Sequence, residues 1–200
     1  MRWDRGLGWR LGVHLLGVGL LLWLGAAFLG DCLGANPVER LIRTLGDWAL
    51  YTLWATLAVT PLRRWTGWPA SVAPRRTLGL WAYALVLLHL GVFVVFDHGG
   101  DLQALGADVV KRPYITLGML AALLLTVLAV TSPAAVIRRL GGAVWRRWHR
   151  LIHPAALLAL AHYYWMIRAD YRHWGVMAAL LGVLWWLRWP WVKRAQHIHP

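Results

Sequence analysis

Long apolar stretches alternate with short polar segments along the whole chain. The apolar stretches cover about residues 11–29, 41–61, 77–96, 114–131, 151–168 and 173–191. A helix needs about 20 apolar residues to cross the hydrocarbon core of a bilayer, and these stretches approach that length. The pattern therefore predicts an all-α polytopic membrane protein, a six-helix transmembrane bundle formed as one domain over residues 1–200.

The segments between the apolar stretches carry turn signals. The segment GDCLGANPVE joins the first two predicted helices, and its Gly and Pro residues indicate a turn. Pro61 is predicted to end the second helix before a basic loop, and Pro133 to close the fourth. The longest connection, about residues 97–113, leaves no room for a soluble domain.

Basic residues indicate the direction of the predicted helices. One side of the bundle receives 14 Lys and Arg residues, in segments 2–10, 63–76, 138–150 and 193–194, and the other side receives 6. Because cytoplasmic loops are enriched in Lys and Arg, both termini are predicted to lie in the cytoplasm.

Composition supports a membrane location. Charged residues make up only 14% of the chain and hydrophobic residues 60%, whereas soluble domains carry about 25% charged residues. The net charge of +13 is concentrated between apolar stretches, a pattern typical of cytoplasmic loops rather than of a nucleic-acid-binding surface. Membrane lipid is thus an expected partner and nucleic acid is not. The first apolar stretch is longer than a signal-peptide core and is predicted to be a retained helix.

Cys32 is the single cysteine of the chain. It excludes an intrachain disulfide and a Cys₄ metal site. The chain also lacks a C-x-x-C-H segment, so any haem would be held by ligation and packing rather than by a covalent bond.

Two histidines lie at similar depths within predicted helices. His89 lies 12 residues after the predicted cytoplasmic end of the third helix, and His162 lies 11 residues after the predicted cytoplasmic end of the fifth. These offsets correspond to depths of about 18 and 16 Å. An ionisable side chain within a bilayer is a candidate functional group. The two imidazoles are expected either to hold a bis-imidazole haem iron between them or to be satisfied separately by carbonyl or hydroxyl groups.

His149 lies too far from His162 to share one iron, because 13 residues span about 20 Å of helix. It is instead a candidate metal ligand for a second haem or another inner cofactor, with His153 and His14 as alternatives. A partner histidine would be needed near position 76, where the chain has Arg75 and Arg76. The other histidines, at positions 98, 173, 197 and 199, are expected to be solvated.

Arg75 and Arg76 stand at the inner entrance of the His89 helix. Arginine recognises carboxylate and phosphate groups, so these residues could contact a flavin phosphate, a haem propionate or a quinone. Their alternative role is a topology signal that meets lipid phosphates.

Several strings resemble a known family: GANPVERLIRTLGDWALYTLWATLAVTPLRR, PRRTLGLWAYALVLLHL, KRPYITLGMLAALLLTVLAVTS and WRRWHRLIHPAALLALAHYYW. Together they resemble the haem-binding membrane subunits of bacterial periplasmic protein-methionine-sulfoxide reductases, within the ferric-reductase-like transmembrane group. The similarity covers about residues 11–192.

The resemblance implies a haem b electron-transfer subunit of the bacterial inner membrane that can also carry FMN. Electrons would come from a cytoplasmic flavin reductase or from quinone and pass to a periplasmic molybdopterin-containing catalytic subunit. The histidines of the family fall on His89, His149 and His162. Two positions depart from the family: Asn36 stands where Asp is frequent, and His153 stands where a non-ligating residue is expected.

One rival interpretation places His14, His89 and His162 along the polar path of a transporter or proton channel. Another is a passive assembly subunit with histidines in its core. A channel is expected to carry more carboxylates within the membrane. A self-contained reductase is disfavoured because the chain has no nucleotide-binding fingerprint, and the methionine sulfoxide reductase active site itself is expected on the partner.

Overall fold

The structure, a computed structural model, describes residues 5–67, 74–167 and 169–188. Within these ranges every regular element is helical. The longer helices are α1 (Arg5–Leu29), α2 (Pro37–Thr66), α3 (Arg75–Val92), α5 (Pro113–Val130), α8 (Ile152–Met166) and α9 (Arg172–Trp186). The shorter helices are α4 (Leu102–Lys111), α6 (Ala134–Leu140) and α7 (Gly142–Trp148), with a π-helical turn at Phe93–Asp97 and a 3-10 turn at His149–Leu151.

The helix bounds depart from the prediction in several places. The connection over residues 97–113 contains α4, which Asp101 caps by accepting hydrogen bonds from the backbone N–H groups of Gln103 and Ala104. The basic segment after Pro133 contains α6 and α7 rather than a loop. The last described helix ends at Trp186, and residues 189–191 of the predicted helix lie outside the described ranges.

Helix α2 begins at Pro37, four residues before the predicted start, because Asn36 caps it. The Asn36 side chain accepts a hydrogen bond from the Glu39 backbone N–H and donates one to the Glu39 carboxylate. The first bond is an N-cap hydrogen bond to the backbone, the second joins the two side chains, and Pro37 occupies a position where no N–H is required. Asn36 is therefore the N-cap of α2.

The prediction that Pro61 ends α2 is wrong. The helix continues to Thr66 and ends at Gly67, which adopts a left-handed conformation. Proline lacks an N–H, so the carbonyl four residues earlier, that of Leu57, loses its helical partner. The Arg188 guanidinium donates a hydrogen bond to that carbonyl. An external donor thus stabilises the interruption in α2.

The main core lies where α2, α3, α5, α8 and α9 meet. Three alanines of this core, Ala82, Ala155 and Ala156, are completely buried and contact a cluster that includes Leu57 and Leu181. Small side chains allow helices within a membrane to approach closely, which favours van der Waals packing. This core fixes α3 and α8, the two helices that carry His89 and His162.

Helix α1 packs on the periphery of the bundle. Its contacts include a small cluster with α2 and α3 around Leu24, Leu45 and Leu85. A Cβ on Gly17 would lie 2.8 Å from the Trp81 ring, so glycine is required for that contact. Elsewhere on α1, large apolar side chains such as Leu22 face outward, with 70% exposed.

Three described helices are long and apolar enough to cross a bilayer: Leu7–Leu29, Arg75–Asp97 and Pro113–Val130. Helix α2 is longer, with 30 residues, but carries several charged residues. Helices α8 and α9 have 15 residues each, which gives a length of about 22 Å. The crossing of all six long helices stays a prediction.

Candidate functional site

His89 projects from α3 towards the first part of α2. Its Nδ1 atom lies 2.9 Å from the carbonyl oxygen of Ile42. A Cβ on Gly46, one turn further along α2, would lie 3.3 Å from the His89 ring. The missing side chain at position 46 gives the imidazole access to the carbonyl.

His162 makes the same arrangement with a different helix. Its Nδ1 atom lies 2.6 Å from the carbonyl oxygen of Tyr114, at the start of α5. A Cβ on Gly118 would lie 2.9 Å from that Nδ1 atom, so no larger residue fits without displacing the ring.

The two arrangements share a sequence signal that the helix pattern did not reveal. Each glycine ends a Thr-Leu-Gly triplet, at residues 44–46 and 116–118, and lies four residues after the carbonyl that the histidine contacts. A third triplet at residues 77–79 begins α3, where Gly79 faces the methyl group of Thr56. A search for short repeats would have indicated both glycines.

The imidazole rings of His89 and His162 face each other. Their centroids are 6.3 Å apart and their planes are nearly perpendicular, at 82°. Because each Nδ1 contacts a carbonyl, which is an acceptor, each Nδ1 carries the proton and each Nε2 keeps a free lone pair. Within the described ranges no hydrogen bond to either Nε2 is found.

Both rings line a cavity of about 230 Å³ between α2, α3, α5 and α8. Its walls are mostly apolar, and two charged side chains, Arg43 and Asp47, also line it. Asp47 therefore places a carboxylate in the same cavity as the two histidines. Because α2 begins at Pro37, Asp47 lies nearly three turns into the helix.

His173 connects two tyrosines beside this cavity. Its Nε2 lies 2.7 Å from the Tyr51 hydroxyl and its Nδ1 lies 2.6 Å from the Tyr163 hydroxyl. One ring nitrogen of a neutral imidazole donates and the other accepts, so the two hydroxyls take opposite roles. Tyr163 also lines the cavity. The expectation of a solvated His173 is wrong, and no local pattern predicts contacts between residues so far apart in the chain.

His98 is also buried rather than solvated. Only 8% of its side chain is exposed, and its Nε2 lies 3.2 Å from an Asp108 carboxylate oxygen. The contact fixes α4 against the end of the π-helical turn, because Asp108 belongs to α4. His98 thus has a structural role in a segment that the sequence predicts to be irregular.

His149 lies at the other end of the bundle, on the 3-10 turn before α8. Its ring packs edge-on against Trp145, with the centroids 4.0 Å apart. Burial lowers the pKa of His149, and the positive charge of Arg75 lowers it further. The imidazole is therefore neutral at pH 7, the form that can ligate a metal.

The other predicted residues of the inner end do not converge on His149. His14 accepts a hydrogen bond from the Trp81 indole N–H at 3.1 Å, so the structure gives no pairing of His14 with His149. The His153 ring packs near Trp185 at a centroid distance of 5.9 Å. Arg75 is half-buried and Arg76 is exposed, so the two arginines face different surroundings.

The His89–His162 pair fits a metal with two axial imidazoles. A metal–imidazole bond measures about 2.0–2.1 Å. Two such bonds in line, together with the distance from each nitrogen to its ring centre, give a centroid separation of about 6 Å, close to the observed 6.3 Å. Ligating histidines almost always donate the other ring N–H to a carbonyl or carboxylate, and both residues do so. The donor set therefore fits a haem iron.

Comparison with known proteins supplies the context for this site. The family described as "Ferric reductase like transmembrane component" matches residues 45–160. This range includes His89 and His149 and ends two residues before His162. The match covers more than half of the chain.

Three relatives extend the similarity to most of the chain. Each bears the name "Protein-methionine-sulfoxide reductase heme-binding subunit MsrQ". The Rhodospirillum rubrum protein is 46% identical over 181 residues, covering 90% of this chain and 87% of the relative. The Caulobacter vibrioides protein is 47% identical over 152 residues, covering 76% of this chain and 72% of the relative. The Herminiimonas arsenicoxydans protein is 43% identical over 173 residues, covering 84% of this chain and 79% of the relative. The chain belongs to this MsrQ family.

Membership confirms the resemblance found in the sequence. It also establishes a membrane protein of the ferric-reductase-like group, in agreement with the three long apolar helices. The His89–His162 pair is thus a feature of an MsrQ-family member.

Proposed function

We propose that this MsrQ-family protein is a haem b electron-transfer subunit. The observation that carries the proposal is the pair of facing imidazoles, each with Nδ1 on a backbone carbonyl. The names of the relatives, all heme-binding subunits, support the same cofactor.

His89 and His162 would hold the haem iron. The carbonyls of Ile42 and Tyr114 accept the Nδ1 protons, so each ring keeps one tautomer and one orientation. When bound, haem supplies reversible one-electron chemistry, and the protein sets its ligands, burial and hydrogen bonds. Two imidazole ligands would suit the cofactor to electron transfer rather than to binding a substrate at the iron.

The charged and polar groups of the cavity would tune the cofactor. Asp47 favours the more positive oxidised state, and Arg43 favours the reduced state. The Glu39 carboxylate lies 2.7 Å from the Arg43 guanidinium and partly neutralises it. The Tyr163 hydroxyl is fixed by His173, so the polar wall of the cavity is held in place.

A second cofactor would lie at the inner end, with His149 as its candidate ligand and His153 or His14 as alternatives. This cofactor would be a second haem or FMN, and Arg75 and Arg76 would contact its phosphate or propionate groups. The neutral state of His149 and the half-buried position of Arg75 support this placement.

The proposed electron path crosses the bacterial inner membrane through six spans, with both termini in the cytoplasm. Electrons would enter from a cytoplasmic flavin reductase or from quinol. They would leave to a periplasmic molybdopterin-containing subunit that reduces methionine sulfoxide in oxidised proteins. The name of the relatives, a subunit of protein-methionine-sulfoxide reductase, supports a catalytic partner of that kind.

Purification followed by visible spectroscopy tests the proposal. We expect a Soret band and an α-band that sharpens on reduction, with haem and flavin quantified per polypeptide. A colourless preparation from haem-supplied cells would contradict it. That result would favour a histidine-lined proton channel, for which Asp47 in the cavity provides a carboxylate, or a passive assembly subunit.

A further inference from the structure

Arg188 occupies an unusual place at the inner end of the bundle. It follows α9, and its guanidinium donates a hydrogen bond to the Leu57 carbonyl that Pro61 leaves without a helical partner. One nitrogen of the guanidinium is therefore anchored to α2. The remaining donors of the group stay available to other partners, because guanidinium has five N–H bonds.

Two shielded donors at the end of α9 and just after it lack a partner in the part of the chain that the structure describes. The Nε atom of Arg188 and the indole Nε1 of Trp185 are both shielded from solvent and, within the described residues, make no hydrogen bond. Buried donors without an acceptor are unfavourable by about 1–3 kcal/mol each. The unsatisfied pair indicates that an acceptor belongs at this position.

Positive charges surround the same place. The half-buried Arg188 guanidinium is repelled by the charges of Arg75 and Arg64. Arg64 of α2 and Arg75 of α3 thus place two further positive charges within electrostatic range of Arg188. The ion pairs found among the described residues involve Glu39 and Asp108, and both carboxylates lie at the opposite end of the bundle.

We propose that Arg188, anchored on the carbonyl freed by Pro61, forms with Arg75 and Arg64 a binding site for a phosphate group. The chemistry favours phosphate because guanidinium groups bind its oxygens through paired, charge-assisted hydrogen bonds. The site assigns a role to Arg188 and to Pro61, which the proposed electron path does not use. The proposal adds Arg188 and Arg64 to the inner cofactor site of the proposed function. It rests on the proposed function only for the identification of a flavin as the ligand.

Two sources can supply the phosphate: a flavin nucleotide or the headgroup of an anionic phospholipid. FMN and riboflavin differ only in the phosphate, so their affinities for the purified haem-loaded protein isolate its contribution. Phosphatidylglycerol and phosphatidylcholine, compared in mixed nanodiscs by native mass spectrometry, isolate the anionic headgroup in the same way.

Arg188→Gln tests the guanidinium, and Arg138→Gln is its control. Arg138 is exposed on α6, in a basic segment of the same predicted face, so the control removes an equal charge elsewhere. We expect Arg188→Gln to weaken phosphate binding about 10- to 100-fold, the range for loss of charge-assisted hydrogen bonds. Arg138→Gln should leave the affinity unchanged.

Pro61→Ala tests the anchor without altering any charge. The new N–H at position 61 can pair with the Leu57 carbonyl inside α2 and displace Arg188. We expect phosphate affinity to fall in this variant, while a gain in helical hydrogen bonding preserves the fold. The melting temperature and haem content of each variant verify that the bundle is intact.

The binding results distinguish the two sources. Preference for FMN over riboflavin that disappears in Arg188→Gln supports a nucleotide phosphate, and retention of phosphatidylglycerol that disappears in the same variant supports a lipid headgroup. Equal binding by wild type, Arg188→Gln and Pro61→Ala would overturn the proposal. Loss of one haem in Arg188→Gln, without a change in phosphate binding, would also overturn it in favour of a propionate contact. A haem-free protein that still binds phosphate would contradict the proposed function alone.

Discussion

The imidazoles of His89 and His162 face each other at 6.3 Å, and both direct Nδ1 to a backbone carbonyl four residues before a glycine. In each of two helix pairs, α3 with α2 and α8 with α5, the first helix thus carries the histidine and the second supplies the carbonyl. This relationship places a ring proton of each imidazole on Nδ1. It also makes the two glycines part of the site.

Gly118→Ala is predicted to reduce haem binding. The new Cβ would lie 2.9 Å from the His162 Nδ1 atom, and the hydrogen bond to Tyr114 limits how far the ring can move. Overpacking of this kind typically costs about 1–3 kcal/mol, so haem occupancy should fall about 5- to 100-fold at limiting haem. Titration of the haem-depleted protein with haem measures the change.

Two further glycines calibrate this test. A Cβ on Gly46 would lie 3.3 Å from the His89 ring, so Gly46→Ala should have a smaller effect. Gly25 lies within α1, and a Cβ at this position would have no neighbouring atom within 4 Å, so Gly25→Ala should leave haem affinity unchanged. The same loss in all three variants would show that helix composition, not contact with the rings, governs binding.

Asp47→Asn is predicted to raise the haem midpoint potential. The carboxylate lines the same cavity as both histidines, and a negative charge stabilises the oxidised state. At an effective dielectric constant of about 20, a unit charge several ångströms away shifts the potential by about 100 mV. Spectroelectrochemical titration at pH 8 measures the shift, and Asp31→Asn, in the exposed turn after α1, is the matched control. A lower potential in Asp47→Asn would contradict the assignment.

The single cysteine reports the orientation of the chain. Cys32 is exposed in the turn between α1 and α2, and the distribution of basic residues predicts that this turn faces the periplasm. A membrane-impermeant maleimide should therefore label Cys32 in intact cells. A protein carrying Cys32→Ser together with Arg138→Cys should be labelled only after lysis. The reverse pattern would invert the predicted topology.

His149 should make the stability of the protein depend on pH. Its pKa is lowered in the folded state by burial and by Arg75, so protonation favours the unfolded state. The stability that the neutral form of His149 contributes is fully present above the ordinary histidine pKa of 6.5. It is lost as the pH falls through the lowered pKa of the folded state. The melting temperature should therefore fall more steeply between pH 8 and pH 5 in wild type than in His149→Gln. Parallel curves would contradict the shift.

The sequence predicts the helices and the facing pair better than it predicts the polar surroundings. The depths of His89 and His162 follow from helix rise alone, and the structure brings these rings together. Tertiary contacts decide the rest. Pro61 fails to end α2 because a residue 127 positions later, Arg188, supplies a donor to the freed carbonyl.

Side-chain contacts outside the helix pattern also explain the two histidines expected in solvent. His173 is held by Tyr51 and Tyr163, and His98 is held by Asp108 across a turn. Neither arrangement leaves a periodic signal. The glycines at positions 46 and 118 do carry a sequence signal, the repeated Thr-Leu-Gly triplet. Each of these glycines lies at a defined spacing from the carbonyl that its histidine contacts.

The haem content and spin state of three histidine variants provide the decisive test of axial ligation by His89 and His162. Electron paramagnetic resonance of the oxidised protein should show a low-spin ferric haem, because two imidazoles occupy the axial positions. We predict that His89→Ala and His162→Ala each lose this low-spin haem, whereas His149→Ala retains it. Retention of the signal in both His89→Ala and His162→Ala, or equal loss in all three variants, would contradict the proposed ligation.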